Sequence, residues 1–107
     1  MRANQTYQVI VSDRAKQMLG IHIRFMANVN KKAAEQKQKQ IVSALRALSE
    51  MPERFPFLHE DLMPSNKYHK MFIEKWYLVL YQIKDDTVYV DYILDCRKDY
   101  SWLADLM

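Results

Sequence analysis

Glycine and cysteine are almost absent from this 107-residue chain, and each scarcity excludes a class of protein. With a single glycine there is neither a GxGxxG fingerprint nor a Walker motif, which excludes the glycine-rich phosphate-binding loops. The one cysteine cannot form an internal disulfide, and no cluster of Cys and His has the spacing of a structural zinc site. The sequence therefore predicts no metal and no cofactor.

Long apolar runs are also missing. No stretch approaches the ~20 residues that a membrane-spanning helix needs. The first residues, MRANQT, lack the apolar core of a secretory signal. The simplest interpretation is a reduced, soluble, cytoplasmic protein with no membrane partner. Hydrophobic residues make up 50% of the chain and charged residues 27%, which is a globular composition, and the length fits one domain over residues 1–107.

The basic charge is concentrated in the first half of the chain. Residues 1–50 carry nine Lys or Arg and three Asp or Glu, whereas residues 51–107 carry seven and ten. The net charge is thus +6 in the first half and −3 in the second. Such asymmetry favours an anionic partner for the first half, either nucleic acid or an acidic protein. A solvated basic helix with no binding role remains an equal alternative.

The first half predicts a short strand followed by two helices. Tyr7–Val11 is β-branched and partly alternating, which is typical of a strand. Ser12 and Asp13 then offer side-chain oxygens for a helix start, and Asn30 is the expected cap of a second helix over 31–51. Since almost nothing connects the two helices, we expect an antiparallel hairpin. The apolar positions of the first helix are Ala15, Met18, Leu19, His22, Ile23, Met26 and Val29.

The second half predicts a proline-containing loop and then three strands. Pro52 and Pro56 remove backbone donors and end the second helix. The turn at 84–86 lacks glycine, so we expect a loop longer than a tight hairpin. The expected strands cover residues 70–74, 76–83 and 87–94. We expect one sheet face to hold Tyr77, Val79, Tyr81 and Ile83 together with Val88, Val90, Tyr92 and Leu94. The predicted fold is α+β, in the order β-α-α-β-β-β, with a helical hairpin on a mainly antiparallel sheet of about four strands.

Three segments in this order resemble the RelE/ParE superfamily of bacterial type II toxins. They are SDRAKQML at the start of the first helix, MPERFP after the second, and YLVLYQIKDDTVYVDYILDCRKDY near the C-terminus. The resemblance covers nearly the whole chain. It implies growth arrest that a cognate antitoxin neutralises. RelE-like members cleave mRNA on the ribosome without a metal, and ParE-like members inhibit DNA gyrase.

The resemblance also implies which residues would carry each activity. If the chain is a ribonuclease, Arg97, Tyr100 and His69 are the catalytic candidates, with His59 as a further acid or base. Basic residues would contact the scissile phosphate or a protein target, because cations stabilise the charge that develops on a phosphate. These contact candidates are Lys67, Lys70, Lys98, Lys31 and Lys32.

One position departs from the RelE-like pattern. These proteins commonly place an arginine directly after the first tyrosine of the strand that reads YLVLYQI here, and this chain has Leu78. A phosphate site without that arginine loses a charge-assisted, bidentate contact. The departure favours a ParE-like toxin acting on gyrase over an endoribonuclease acting on ribosome-bound mRNA. A non-toxic binding module of the same fold is the remaining alternative.

Overall fold

The computed structural model describes residues 6–58, 67–73 and 77–95, and it confirms the predicted α+β fold. A short 3₁₀ turn over Pro52–Arg54 separates the helices from the last three strands. The elements are β1 (Gln8–Val11), α1 (Asp13–Val29), α2 (Lys31–Ala47), β2 (His69–Ile73), β3 (Tyr77–Lys84) and β4 (Thr87–Asp95).

Both helices begin at the predicted caps. The Ser12 hydroxyl accepts a hydrogen bond from the Ala15 amide at 3.0 Å, and Asn30 Oδ1 accepts from the Ala33 amide at 3.0 Å. Each bond satisfies one of the free N–H groups at a helix start. Asn30 is the only residue between the two helices, and it therefore forces the sharp reversal of the hairpin.

The four strands form one mixed sheet in the order β1-β4-β3-β2. β1 pairs parallel with β4, and the β4–β3 and β3–β2 pairs are antiparallel. The helical hairpin packs on one face of this sheet, where Ala15, Ile41 and Leu45 meet the strands. That core also contains Leu48, Met71, Ile73, Tyr77, Val79, Tyr81, Val88, Val90 and Ile93.

A β-bulge in β4 overturns part of the predicted face assignment. Tyr81 pairs with Val90 but Leu80 pairs with Tyr92, so Asp91 is an extra residue in β4. An extra residue reverses the alternation of every side chain beyond it. Tyr92 and Leu94 therefore lie on the face opposite Val88 and Val90, which we call the outer face. The prediction that they share a face with Val88 and Val90 is wrong.

Two segment boundaries also differ from the expectation. The β3–β4 connection is a two-residue turn, since Lys84 pairs directly with Thr87, and Asp85 takes the positive φ of 56° in place of glycine. Aspartate tolerates this left-handed region better than most residues. α2 ends at Ala47 and not at Met51, because the chain turns there and the Ser49 carbonyl accepts from the Tyr7 amide at 2.7 Å.

Candidate functional site

The outer face of the sheet is apolar at its centre. Leu78, the residue in place of the expected arginine, is 1% exposed and packs with Leu80 and Leu94. The same buried cluster contains Leu58, Tyr68 and Tyr92, and Met18 of α1 packs against it. A cation cluster for a phosphate is therefore absent from this centre, within the described strands.

Asp91 places a carboxylate at the edge of this apolar cluster. Its Oδ2 atom accepts hydrogen bonds from the Tyr68 hydroxyl at 3.0 Å and from Gln82 Nε2 at 2.9 Å. The Asp91 backbone carbonyl accepts from the Ser12 hydroxyl at 3.2 Å, which ties the bulge to the start of α1. An acidic side chain therefore lies on the face where a ribonuclease would need positive charge.

Burial and the Asp91 carboxylate together keep the Tyr68 hydroxyl protonated. Burial is the larger cause and the hydrogen bond to Asp91 the next, and both raise the pKa of Tyr68 well above its ordinary value of 10.0. Each disfavours the phenolate, either by removing water or by adding a neighbouring negative charge. Tyr68 is consequently a hydrogen-bond donor here and a poor general base.

Arg14 approaches the outer face from the first turn of α1. Its guanidinium donates a hydrogen bond to the Tyr92 hydroxyl and lies over the Tyr92 ring, 4.8 Å from the centroid. The contact holds α1 against the half of β4 that β1 does not cover. The Arg14 guanidinium is thus bound to a tyrosine of the same chain.

Two predicted phosphate contacts, Lys67 and Lys70, lie on the same side as the apolar cluster. Lys70 pairs with Leu80 and therefore shares the outer face. Lys67 Nζ lies 5.6 Å from the centroid of the Tyr68 ring. The structure brings these two lysines to one region, beside the Asp91 network.

His69 is held in the core behind this face. It is 8% exposed, and its Nδ1 lies 2.7 Å from the Phe55 carbonyl oxygen, a distance at which the ring N–H donates to that oxygen. The ring also stacks on Tyr81, with 5.3 Å between centroids. Because neighbouring residues of a strand point to opposite faces, the structure does not bring His69 to Lys70. His69 therefore anchors the proline-containing loop to β2 through the Phe55 carbonyl.

The other predicted residues divide into two groups. Lys31 and Lys32 are exposed at the first turn of α2, at the end of the hairpin away from β1. The remaining candidates, His59, Arg97, Lys98 and Tyr100, lie outside the described residues.

α1 carries an exposed apolar stripe that leads to those two lysines. Ile21, Phe25 and Val29 follow one another at intervals of four residues, so they lie along one side of the helix. Phe25 is 71% exposed and Val29 is 83% exposed. We call this set, with Lys31 and Lys32, the hairpin tip. It combines apolar area with positive charge, which is a composition suited to a protein partner.

No sequence motif links Tyr68, Gln82 and Asp91, so their hydrogen-bond network is not predicted from the sequence. The sequence offers no signal for the bulge, because an Asp between Val90 and Tyr92 is also what plain alternation of a strand predicts. Across the described segments, no group of three His, Cys, Asp or Glu is placed to hold a metal ion. No helix in those segments is long and apolar enough to cross a membrane.

Comparisons with known proteins agree with this fold. Residues 9–100 match the family model described as "ParE toxin of type II toxin-antitoxin system, parDE". A solved structure titled "Chromosomal ParDE TA system from P. aeruginosa" superposes with a TM-score of 0.71 at 11% sequence identity. The superposition covers 86% of this chain and 98% of that chain. No curated protein sequence matches this chain.

Proposed function

Since the chain belongs to the ParE toxin family of type II toxin–antitoxin systems, which implies an antitoxin partner, we propose that it arrests bacterial growth by inhibiting DNA gyrase. A cognate antitoxin neutralises it by covering its exposed apolar surface. The proposal thus has three parts, which are growth arrest, gyrase as the target, and neutralisation by the antitoxin.

The chemistry of the outer face is the observation that favours gyrase over mRNA as the target. A metal-independent ribonuclease needs cations around the scissile phosphate to stabilise its developing charge. Here Leu78 is buried at the centre of that face, and the Asp91 carboxylate lies at its edge. A carboxylate repels a phosphate, and the repulsion is stronger beside an apolar cluster than in water. The face therefore supports a protein target.

The hairpin tip is the proposed contact with gyrase. Phe25 and Val29 supply apolar area that the rest of the described chain leaves uncovered. Lys31 and Lys32 stand next to it at the start of α2 and supply positive charge for association with an acidic surface. An exposed apolar stripe flanked by charge is typical of a protein–protein contact.

A supercoiling assay with purified gyrase tests the target. The chain is expected to inhibit supercoiling, and the double substitution Lys31→Glu and Lys32→Glu is expected to weaken inhibition about tenfold. Phe25→Ser should weaken it as well. Lys84→Glu, a charge reversal at another exposed lysine beside the β3–β4 turn, serves as the control and should leave inhibition unchanged. Supercoiling at the uninhibited rate with the folded chain present would refute gyrase as the target.

The ribonuclease alternative rests on Lys67 and Lys70, which flank the outer face. It predicts cleavage of mRNA on programmed ribosomes and loss of cleavage in Arg97→Ala. The proposal predicts intact mRNA in the same assay. The remaining alternative, a non-toxic binding module, predicts normal growth when the chain is expressed without antitoxin, whereas the proposal predicts arrest.

A further inference from the structure

The outward side of α2 carries a continuous polar stripe. Its members follow one another at alternating intervals of four and three residues, so they lie on one side of the helix. All of these side chains are exposed. The set, which we call the basic stripe, consists of Lys32, Gln36, Lys39, Ser43 and Arg46. The opposite side of the helix is buried through Ala34, Ile41 and Leu45, so the basic stripe faces away from the core.

The charge of α2 is strongly one-sided. The helix has five cations, at positions 31, 32, 37, 39 and 46, and Glu35 is its only acid. Lys31 and Lys32 occupy the first turn, where the helix dipole disfavours cations and adds to their positive potential. Within the described chain, no cation of the basic stripe lies within ion-pair distance of a carboxylate. A surface that needs charge only for solubility mixes both signs, so this excess indicates an anionic ligand.

The composition of this surface distinguishes a nucleic acid from an acidic protein. The exposed large hydrophobic side chains of the described chain lie on other elements, and none is on α2. Protein interfaces bury an apolar core, whereas nucleic-acid interfaces are more polar and more positively charged. The basic stripe has the second composition. It differs in this respect from the hairpin tip, where Phe25 and Val29 supply apolar area.

The dimensions of α2 fit duplex DNA. Its 17 residues form one unbroken helix of about 25 Å, which is the length of about seven base pairs. The three cations of the basic stripe are seven residues apart, so they recur about every 10.5 Å along the helix. The major groove of B-form DNA is about 12 Å wide and admits an α-helix. The major groove of an RNA duplex is deep and narrow, and side chains cannot read it.

We propose that the basic stripe binds the major groove of duplex DNA without preference for sequence. Lys32, Lys39 and Arg46 contact backbone phosphates, while Gln36 and Ser43 lie between them and face the groove. Phosphate contacts position a protein on the duplex and carry no sequence information. The inference goes beyond the proposed function, because it requires neither growth arrest nor gyrase. Lys32 belongs to the hairpin tip as well, so the test uses the other two cations.

Fluorescence anisotropy with a labelled DNA duplex of mixed sequence tests the basic stripe. A length of about 20 base pairs exceeds the span of α2. The full-length chain should bind, and the logarithm of its association constant should fall with the logarithm of salt concentration with a slope of about −3, for three phosphate contacts. In the double variant Lys39→Gln and Arg46→Gln the affinity at about 50 mM salt should fall about tenfold, and the slope should flatten by about 2. An RNA duplex of the same sequence should bind less tightly than the DNA.

A charge-matched control separates the basic stripe from the overall charge of the chain. Lys84→Glu lowers the net charge by the same two units as the double variant. The Lys84 Nζ lies over the Tyr89 ring, and Tyr89 points away from the core face on which Val88 and Val90 meet α2. This control should keep the wild-type affinity and slope. Glu35→Gln, which removes the acid beside the basic stripe, should raise the affinity about two- to threefold.

Each outcome decides for or against the basic stripe. Equal losses of affinity in the double variant and in Lys84→Glu would overturn the proposal, because binding would then follow net charge alone. No binding of DNA at about 50 mM salt, or an RNA duplex that binds as tightly as the DNA, would overturn it as well. DNA binding by a chain that does not inhibit gyrase would support the basic stripe and refute the proposed function. Gyrase inhibition by a chain that binds no DNA would refute the basic stripe alone.

Discussion

Replacing Tyr81 by phenylalanine should destabilise the fold at neutral pH and destabilise it less at high pH. The Tyr81 hydroxyl is buried and donates to the Pro52 carbonyl oxygen at 2.6 Å, which ties β3 to the turn after α2. Tyr81→Phe removes this bond and leaves a buried carbonyl without its donor. The loss in unfolding free energy at pH 7 is about 1–2 kcal/mol, the usual cost of such an unpaired group.

The pH dependence follows from the ionisation of the same hydroxyl. Burial raises the pKa of Tyr81 far above its ordinary value of 10.0. The unfolded chain releases this proton near pH 10 and the folded chain does not, so wild-type stability falls as pH rises beyond 10. At pH 11 the wild type has lost about 1.4 kcal/mol through this group, and the phenylalanine variant has lost nothing through it. The difference between the two proteins should shrink by that amount.

Urea unfolding at pH 7 and at pH 11 measures both effects. Tyr89→Phe removes the same hydroxyl from an exposed ring on the neighbouring strand, and its stability at pH 7 should equal that of the wild type. Equal stability of Tyr81→Phe and Tyr89→Phe at pH 7 would show that the hydrogen bond to Pro52 contributes nothing. An equal gap between wild type and Tyr81→Phe at both pH values would show that the pKa of Tyr81 is not raised by folding.

Three further substitutions test other parts of the fold. Asn30→Ala should lower the unfolding free energy by about 1 kcal/mol through loss of the cap on α2, whereas Asn28→Ala, an exposed change just before it, should not; thermal melting compares them. Leu78→Ala should cost about 2–5 kcal/mol, because it empties a fully packed site, and a cost near zero in urea unfolding would contradict the burial described for the outer face. Asp85→Gly should raise the melting temperature slightly, since glycine adopts the positive φ of that turn without strain, and a fall would show that the Asp85 side chain stabilises the turn.

Local chemistry explains which parts of the fold the sequence predicts well. Ser12 and Asn30 cap helices through their own side chains, and the apolar spacing after each cap specifies the buried face. Such signals involve residues only a few positions apart. The element order and the two helix starts could therefore be predicted without any knowledge of the packing.

Longer-range effects limited the prediction of the outer face. The bulge at Asp91 depends on hydrogen bonds to Tyr68 and Gln82, 23 and 9 residues away along the chain. A period-two pattern cannot locate an inserted residue, so it predicts the wrong face for Tyr92 and Leu94. His69 and Lys70 are neighbours in sequence, and the strand separates them onto opposite faces. Residues 96–107, which contain three of the candidates, lie outside the described structure.

The parallel pairing of β1 with β4 has a consequence for synthesis of the protein. β1 leaves the ribosome first, yet its partner residues are 79 positions later, where Gln8 faces Thr87 and Ser12 bonds to Asp91. β1 therefore stays unpaired during synthesis until β4 has emerged from the ribosome. Val9 and Val11 pack on the core through this pairing, so the hydrophobic core cannot close on a nascent chain from which β4 has not yet emerged.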